Sequence, residues 1–343
     1  MKITFACYQS ISIIHGGPRV QMLKTKAELE KLGVSVSLFQ PWEPFDRTAA
    51  DLVHLFSANL GTFHLAGVFQ QYRIPFVTSS IFFTRHSPGF IRSTLQVNRF
   101  LKNMRSGIWT NYEYTRQICE WSRSVLPNTG DEGKLLERGM SIPREKIHTV
   151  PNGVDQRFEF GDPSLFKKKY GLDHFVLSVG HIGPDRKNAL RLIKALQHID
   201  APAVLIGQVV DSPAARECVD EIKRSKNILL IEGLDNDSEM LSSAYAAADV
   251  FALPSLFETP GIAALEAGLA GANIVITPVG GTKEYFGDHA EYVDPYSIES
   301  IRNGIETMLN RKKSNALQKK IREEYLWKRV AEKTLEVYKS ALQ

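Results

Sequence analysis

Glu258 and Glu266 stand eight positions apart in the stretch FETPGIAALE, residues 257 to 266. Two carboxylates flanking small residues are suited to gripping the hydroxyl groups of one ligand. Pro260, between them, has the fixed φ and missing N–H that favour the first turn of a helix. A helix starting there presents the backbone N–H groups of Gly261, Ile262 and Ala263 to an anion such as a phosphate, through its dipole and its unpaired donors together. Eight helical residues rise by roughly 12 Å and bring Glu266 round to within about 80° of Glu258. Both acids can then address one elongated molecule: a sugar, a diphosphate and a ribose laid end to end. The plainer alternative makes Glu258 a helix cap and Glu266 a solvated surface acid.

A second cluster of candidates lies in GHIGPDRKN, residues 180 to 188, which follows an apolar run and opens a helix. Arg186 as a bidentate fork and Lys187 as a point charge would neutralise a diphosphate. Two cations at a helix N-terminus oppose its dipole by ~0.3 to 1 kcal/mol. Their placement there points to an anionic ligand, although an exposed basic turn also explains them. In TPVGGTKEYFG, residues 277 to 287, Gly280 and Gly281 permit close backbone approach, and Glu284 is a polar contact or, preferably, a helix cap. Gly16 and Gly17, before the first helix, permit similar approach to a ligand.

Metal chemistry finds little support. Asp235-Asn236-Asp237 has the D-x-D pattern that binds divalent metal on many sugar-nucleotide enzymes, but it sits between a strand and a helix, where Asp and Ser serve as N-caps. Capping is the reading adopted. The nine histidines are scattered, and no His, Cys and carboxylate cluster has metal spacing. No G-x-S-x-G, P-loop or G-x-G-x-x-G motif is present.

The elements that must hold these residues alternate strand and helix. KITFAC (2 to 7), VSVSLF (34 to 39), ADLVHLFS (50 to 57) and IPFVTSS (74 to 80) read as strands, with a helix from about Pro18 to Leu32 after the first. Strand, glycine loop and helix in that order open a Rossmann-like unit. FVLSVG (175 to 180), AVLIG (203 to 207), ILLIEG (228 to 233), VFALP (250 to 254) and NIVIT (273 to 277) repeat the pattern, with helices around 188 to 198, 212 to 224, 238 to 247 and 261 to 270. Such alternation predicts α/β sheets of parallel strands covered on both faces. Pro151-Asn152-Gly153 reads as a turn, the polar stretch 156 to 174 as an interdomain linker with a short helix, and 315 to 343 as strongly helical. The expected domains are 1 to 157 and 158 to 325, with a terminal helix at 326 to 343.

Composition sets the outer limits. A chain of 343 residues suits two domains. Cys7, Cys119 and Cys218 form no paired framework and read as reduced packing residues. No apolar run is long enough to span a membrane, and MKITFACYQS lacks the regions of a signal peptide, so a cytoplasmic location is expected. The net charge of +4 is uneven: residues 1 to 157 hold 19 Lys and Arg against 12 Asp and Glu, a net of +7, and the rest hold 23 against 26, a net of −3. Arg85, Arg92, Arg99, Lys102, Arg105, Arg116 and Arg123 lie interleaved with Phe82, Phe83, Phe90, Trp109 and Trp121. Surface cations over core aromatics explain this stretch. The sharper reading is a surface for anionic lipid or an anionic acceptor. Nucleic acid is not an expected partner, since no nucleic-acid module accompanies the charge.

Several of these motifs, in this order and spacing, resemble those of the retaining GT-B glycosyltransferases, specifically the family-4 group that includes bacterial cell-surface mannosyl-, glucosyl- and N-acetylglucosaminyltransferases. The matching pieces are Gly16-Gly17, LPN at 126 to 128, VPNGVD at 150 to 155, the loop ending in Arg186-Lys187-Asn188, PSLFETPGIAALEA at 254 to 267 and PVGGTKE at 278 to 284. The resemblance implies two Rossmann-like domains facing across a cleft, the first on the acceptor side and the second binding a nucleotide sugar, with the last helix crossing back to the first. It implies that Glu258 holds hydroxyls of the donor sugar, that the amides of Gly261 and Ile262 face sugar and phosphate, and that Glu266 binds the ribose. Arg186 and Lys187 would stabilise the departing diphosphate, with the Gly16-Gly17 loop closing over the site. His181 stands where the family often carries Arg, and the histidine usual after the strand at 74 to 80 is absent, with His86 a few residues on. The implied activity is retaining transfer of a hexose from a UDP- or GDP-sugar to a lipid-linked or oligosaccharide acceptor in surface polysaccharide assembly. No metal or cofactor is implied, and association with the inner membrane face fits such an acceptor. The alternatives are a catalytically weak scaffold subunit of a transferase complex and a sugar-nucleotide epimerase.

Overall fold

The computed structural model describes residues 1–13, 16–103 and 109–343. Arg105 of the basic stretch and the side chain of Lys102 lie outside the described residues. The chain divides into two compact units, one of residues 1–153 and 327–343, the other of residues 154–326. The crossing falls four residues before the expected 157/158, because the Val154 N–H donates to the Tyr325 carbonyl at 2.8 Å and ties residue 154 to the second unit.

The first unit runs β1 (Lys2–Cys7), α1 (Gly17–Lys31), β2 (Ser35–Leu38), β3 (Leu52–Phe56), α2 (Leu60–Gln71), β4 (Phe76–Ser79), α3 (Pro88–Asn103), α4 (Asn111–Trp121) and α5 (Gly130–Lys134). Among the described residues its strands pair in parallel in the order β2-β1-β3-β4. Every residue of β3 and β4 is buried, as expected of strands covered by helices on both faces. Bridges at Thr78↔Val125 and Val125↔Ile147 continue the parallel pattern beyond β4.

The second unit runs α6 (Pro163–Tyr170), β5 (Val176–Val179), α7 (Ala189–Leu196), β6 (Ala203–Ile206), α8 (Pro213–Arg224), β7 (Ile228–Ile231), α9 (Glu239–Ala247), β8 (Val250–Leu253), α10 (Ile262–Leu269), β9 (Asn273–Ile276), α11 (Thr282–Phe286), β10 (Ala290–Tyr292), α12 (Ile298–Leu309) and α13 (Asn315–Glu324). The sheet order is β10-β9-β8-β5-β6-β7, parallel throughout. Strand β10 has no counterpart in the sequence reading; AEY is too short and polar to signal one. The stretch expected to be a linker is instead part of this unit. Phe158 and Phe166 are buried in its core, and the Ser243 hydroxyl accepts from the Phe166 N–H at 2.8 Å. The lysines that make the stretch look polar crowd the end of α6, whose one buried residue is Phe166.

The stretch 315 to 343, read as strongly helical, is two helices. The chain breaks at Tyr325 and Leu326, and α14 (Trp327–Leu342) packs in the first unit against α1. Gly153 explains part of this packing: a Cβ there would lie 2.6 Å from the Trp327 ring. Deeper in, the Tyr338 hydroxyl and His54 Nδ1 share a hydrogen bond of 2.5 Å, and His54 Nε2 lies 2.9 Å from Ser79 Oγ. Burial holds the His54 imidazole down to about 3, so it is neutral at physiological pH.

Candidate active site

Strands β5 and β8 pair at the centre of the second sheet, and the chain proceeds from β5 to β6 and β7 on one side and from β8 to β9 and β10 on the other. Loops leaving the carboxyl ends of two such strands diverge, and open parallel sheets bind ligands in the crevice this creates. The loop after β5 carries His181, Arg186 and Lys187; the loop after β8 carries Ser255, Glu258 and Gly261. Topology therefore brings the two candidate clusters together.

Their contact is direct. Lys187 Nζ lies 2.8 Å and an Arg186 guanidinium nitrogen 3.0 Å from Glu258 Oε1, and Ser255 Oγ donates to the same oxygen at 2.7 Å. Glu258 is 5% exposed. Burial alone would raise its pKa, but Lys187, Arg186 and the Ser255 hydroxyl together bring it below the ordinary glutamate value. The carboxylate is thus ionised and paired. Arg186 also donates to the Phe257 carbonyl at 3.2 Å and lies over the Phe257 ring.

Backbone contacts hold both loops in register. The Leu256 N–H donates to the Arg186 carbonyl at 2.8 Å. Asn188, buried and left-handed at φ 55°, donates through its amide to the carbonyls of Pro254 and Pro295 at 2.8 and 2.7 Å. On the far side the Glu258 N–H donates to Val279 and its carbonyl accepts from Gly281, both at 3.0 Å. Gly280 makes this approach possible: its φ is 105°, and a Cβ would lie 2.0 Å from the Glu258 carbonyl oxygen. The close approach expected at Gly280 and Gly281 is thus made to the Glu258 backbone. Glu284 lies in the first turn of α11, whose N-cap is Gly281.

Three details of the sequence reading are corrected. Helix α10 starts at Ile262, with Gly261 as its N-cap at φ 86°, so Pro260 precedes the helix. Glu258 is held instead in backbone pairing with Gly280, and no eight-residue helical rise joins the two acids. Secondly, Arg186 and Lys187 sit on a 3-10 turn immediately before Asn188, the N-cap of α7, and not within the first turn of the helix itself. Their counter-charge is Glu258. Thirdly, Ser238, not an aspartate, caps α9, while Asp237 pairs with Arg157 at 3.3 Å. Among the described residues no group of three His, Cys, Asp or Glu is placed to hold a metal ion.

The remaining candidates lie as follows. Glu266 is on α10, 6% exposed, and accepts a hydrogen bond from the Tyr245 hydroxyl at 2.7 Å, so it is not a solvated acid. Amides of Ile262 and Ala263 precede the first intrahelical bonds of α10, which run from Ala264 and Leu265 to the Gly261 carbonyl. His181 is exposed, shares a concavity with Gly180, Lys187 and Leu253, and has its pKa lowered by partial desolvation, then by Lys187 and Arg186. It is a neutral donor rather than a third cation. In the first unit Gly16 caps α1 at φ −157°, and a Cβ at Gly16 or Gly17 would meet nothing within 4 Å. The fold itself does not require glycine at either position.

Ser255, Asn188 and Tyr245 were not singled out from sequence. Ser255 and Asn188 fall inside motifs that were, Ser255 three positions before Glu258 and Asn188 directly after Lys187, and that adjacency was the available signal. Tyr245 sits in an apolar helical run and gives none.

Comparison with known proteins gives two family matches. The model described as glycosyl transferases group 1 matches residues 165–324, and that described as Glycosyltransferase Family 4 matches residues 17–158. An uncharacterized glycosyltransferase of Methanocaldococcus jannaschii is 26% identical over 59% of this chain and 56% of its own length. A D-inositol 3-phosphate glycosyltransferase of Mycobacteroides abscessus is 28% identical over 48% of this chain and 39% of its own. The chain thus spans about half the length of these curated relatives. In structure it is similar to sucrose-phosphate synthase of Thermosynechococcus elongatus, with a TM-score of 0.75 at 18% identity over 99% of this chain and 98% of that one. Anabaena HepE in complex with UDP and glucose is similar at a TM-score of 0.70 and 18% identity, over 99% and 100% of the two chains.

Proposed function

This chain belongs to the family-4 type glycosyltransferases of the GT-B fold, and from that premise we propose how its second unit works on a donor. The donor is a nucleotide diphosphate sugar, UDP- or GDP-linked. The product is a hexoside formed with retained anomeric configuration on a lipid-linked or oligosaccharide acceptor of surface polysaccharide. The carrying observation is the Arg186, Lys187 and Glu258 cluster at the β5/β8 switch point.

Breaking a glycosyl phosphate builds an oxocarbenium-like carbon and a more negative leaving group. Cations fixed beside the diphosphate stabilise that state more than the ground state. Arg186 and Lys187 fill this role with no metal or cofactor, since the nucleotide sugar is itself the substrate. As the phosphates take up their donors, Glu258, an acceptor with two oxygens, is released to receive sugar hydroxyls. The N–H groups of Gly261 and Ile262 face sugar and phosphate, Glu266 the ribose, and His181 completes the donor contacts of this unit. The leaving phosphate helps deprotonate the acceptor along a front-face path.

Helix α3 supports a peripheral position on the cytoplasmic face of a membrane. It turns Phe90, Val97 and Phe100 outward, each at least half exposed, beside exposed Arg92 and Arg99. Apolar side chains with flanking arginines suit an anionic lipid interface. Among the described residues no helix is long and apolar enough to cross a membrane.

Incubating the protein with a panel of UDP- and GDP-sugars tests the assignment. Slow release of nucleoside diphosphate from at least one is expected. Turnover of none indicates a scaffold, and an altered sugar formed without acceptor indicates an epimerase.

A further inference from the structure

Tyr245 places a phenol where the packing asks only for a ring. It lies on α9, is fully buried, and is packed by Phe158 at 5.3 Å and Phe251 at 5.8 Å between ring centroids. Phenylalanine would fill the same space without a buried O–H to satisfy. The hydroxyl nevertheless has one acceptor of consequence, Glu266 Oε2 at 2.7 Å. A hydrogen bond to a carboxylate is stronger than one between neutral groups, and it fixes the direction of the acceptor.

Tyr245 cannot touch a ligand itself. Burial and the neighbouring Glu266 raise its pKa well above the usual tyrosine value, so it remains a donor throughout the working range. Its own position is set from behind: Phe158 meets its ring edge to face, and Phe158 belongs to the segment that looked like a linker. A chain of support therefore runs from residue 158 through α9 to the carboxylate on α10.

We propose that Tyr245 is a positioning residue that aims Glu266 at the ribose hydroxyls of the donor, so that preference for ribo- over deoxyribonucleotides depends on this buried phenol. The inference rests on the reading that the second unit binds a nucleotide diphosphate at Glu266. It extends that reading to donor class: nucleotides built on deoxyribose are discriminated against.

Calorimetric titration of the full chain with UDP and 2′-deoxy-UDP, and with GDP and 2′-deoxy-GDP, tests it on wild type, Tyr245→Phe, Glu266→Gln and the double variant. Wild type should bind at least one ribonucleotide about tenfold more tightly than its deoxy partner. Glu266→Gln and Tyr245→Phe should each cut that ratio at least threefold while leaving deoxynucleotide affinity within twofold, and the double variant should lose no more than Glu266→Gln alone. If Glu266→Gln cuts the ratio and Tyr245→Phe leaves it within twofold of wild type, the positioning role is overturned and the site reading stands. Equal losses for ribo and deoxy ligands in Tyr245→Phe mean a structural role and also overturn it. If wild type binds none of the four, or Glu266→Gln changes nothing, the site reading fails and the proposal with it. Should Tyr245→Phe not fold, Phe158→Leu keeps the hydroxyl but loosens the ring; it should cut the ratio too, and an unchanged ratio there overturns the proposal.

Discussion

Lys187 Nζ and Glu258 Oε1 lie 2.8 Å apart across a sequence separation of 71 residues. The contact exists because β5 and β8 are neighbours and hydrogen bonds tie the loops that follow them together. Either partner alone is an ordinary charged loop residue; together they hold a cation at the switch point until the phosphates of a ligand replace Glu258 as its partner. The exchange takes place on binding, so the cation is already seated on the phosphates when negative charge develops there during the reaction.

Lys187→Ala should lower kcat/KM for the donor by about 10²- to 10³-fold, the loss typical when one fixed donor to a developing charge is removed. Steady-state release of nucleoside diphosphate measures it. Retention of near-full rate would remove Lys187 from the site.

Glu258→Ala should also abolish transfer, and with a thermal cost. It leaves two cations and the Ser255 hydroxyl without their common acceptor, worth about 1 to 3 kcal/mol. A fall of a few degrees in Tm with an unchanged circular dichroism spectrum is expected. A wild-type Tm would show that the carboxylate is not engaged as described.

His181 predicts a pH dependence of donor binding. Its pKa is lowered in the free protein by desolvation, Lys187 and Arg186. A bound diphosphate opposes those cations and raises it, so binding takes up a proton and affinity should rise as pH falls through the range just below neutrality. His181→Arg should bind more tightly at pH 7.5 and lose the dependence. Titrations of both proteins between pH 5.5 and 8 decide the matter.

Much of the fold was legible because short apolar runs mark buried parallel strands, and in the second unit β5 to β9 each also run into Gly, Pro or Thr. β10 does not. The segment 156 to 174 misled because three consecutive lysines, Lys167 to Lys169, give it a polar character that masks the two phenylalanines, Phe158 and Phe166, that bury it. At the site, residue types were readable and partnerships were not. Nothing local announces that Glu258 meets Lys187, that Gly280 is required by the Glu258 carbonyl, or that Tyr245 bonds Glu266. Those facts belong to strand order and helix packing.

The glycines separate by stability. Gly280→Ala places a methyl group against the Glu258 backbone at an unfavourable φ, and should cost about 1 to 3 kcal/mol. Gly16→Ala meets open space at an extended φ and should leave Tm unchanged while reducing donor turnover. Paired thermal and activity measurements read both; a destabilised Gly16→Ala would place the requirement for glycine in the fold.

His54 makes the first unit acid-sensitive. Its pKa is about 3 folded against an ordinary 6.5, so between those values the unfolded chain binds the extra proton and stability rises with pH. From pH 6.5 down to 5 the loss should be about 1.6 kcal/mol, the slope rising from half of 1.36 kcal/mol per unit at pH 6.5 toward its full value. Denaturant midpoints should show it, and His54→Asn should flatten the slope. An unchanged slope would contradict neutral burial against Tyr338 and Ser79.

The most direct measurement is a crystal structure of the protein soaked with the UDP- or GDP-sugar that gives the largest thermal shift. The diphosphate should lie within hydrogen-bonding distance of Arg186 and Lys187, the sugar hydroxyls at Glu258 and the ribose at Glu266. A nucleotide sugar ordered elsewhere, or seated here with Lys187 still bound to Glu258 and turned from the phosphates, would contradict the account.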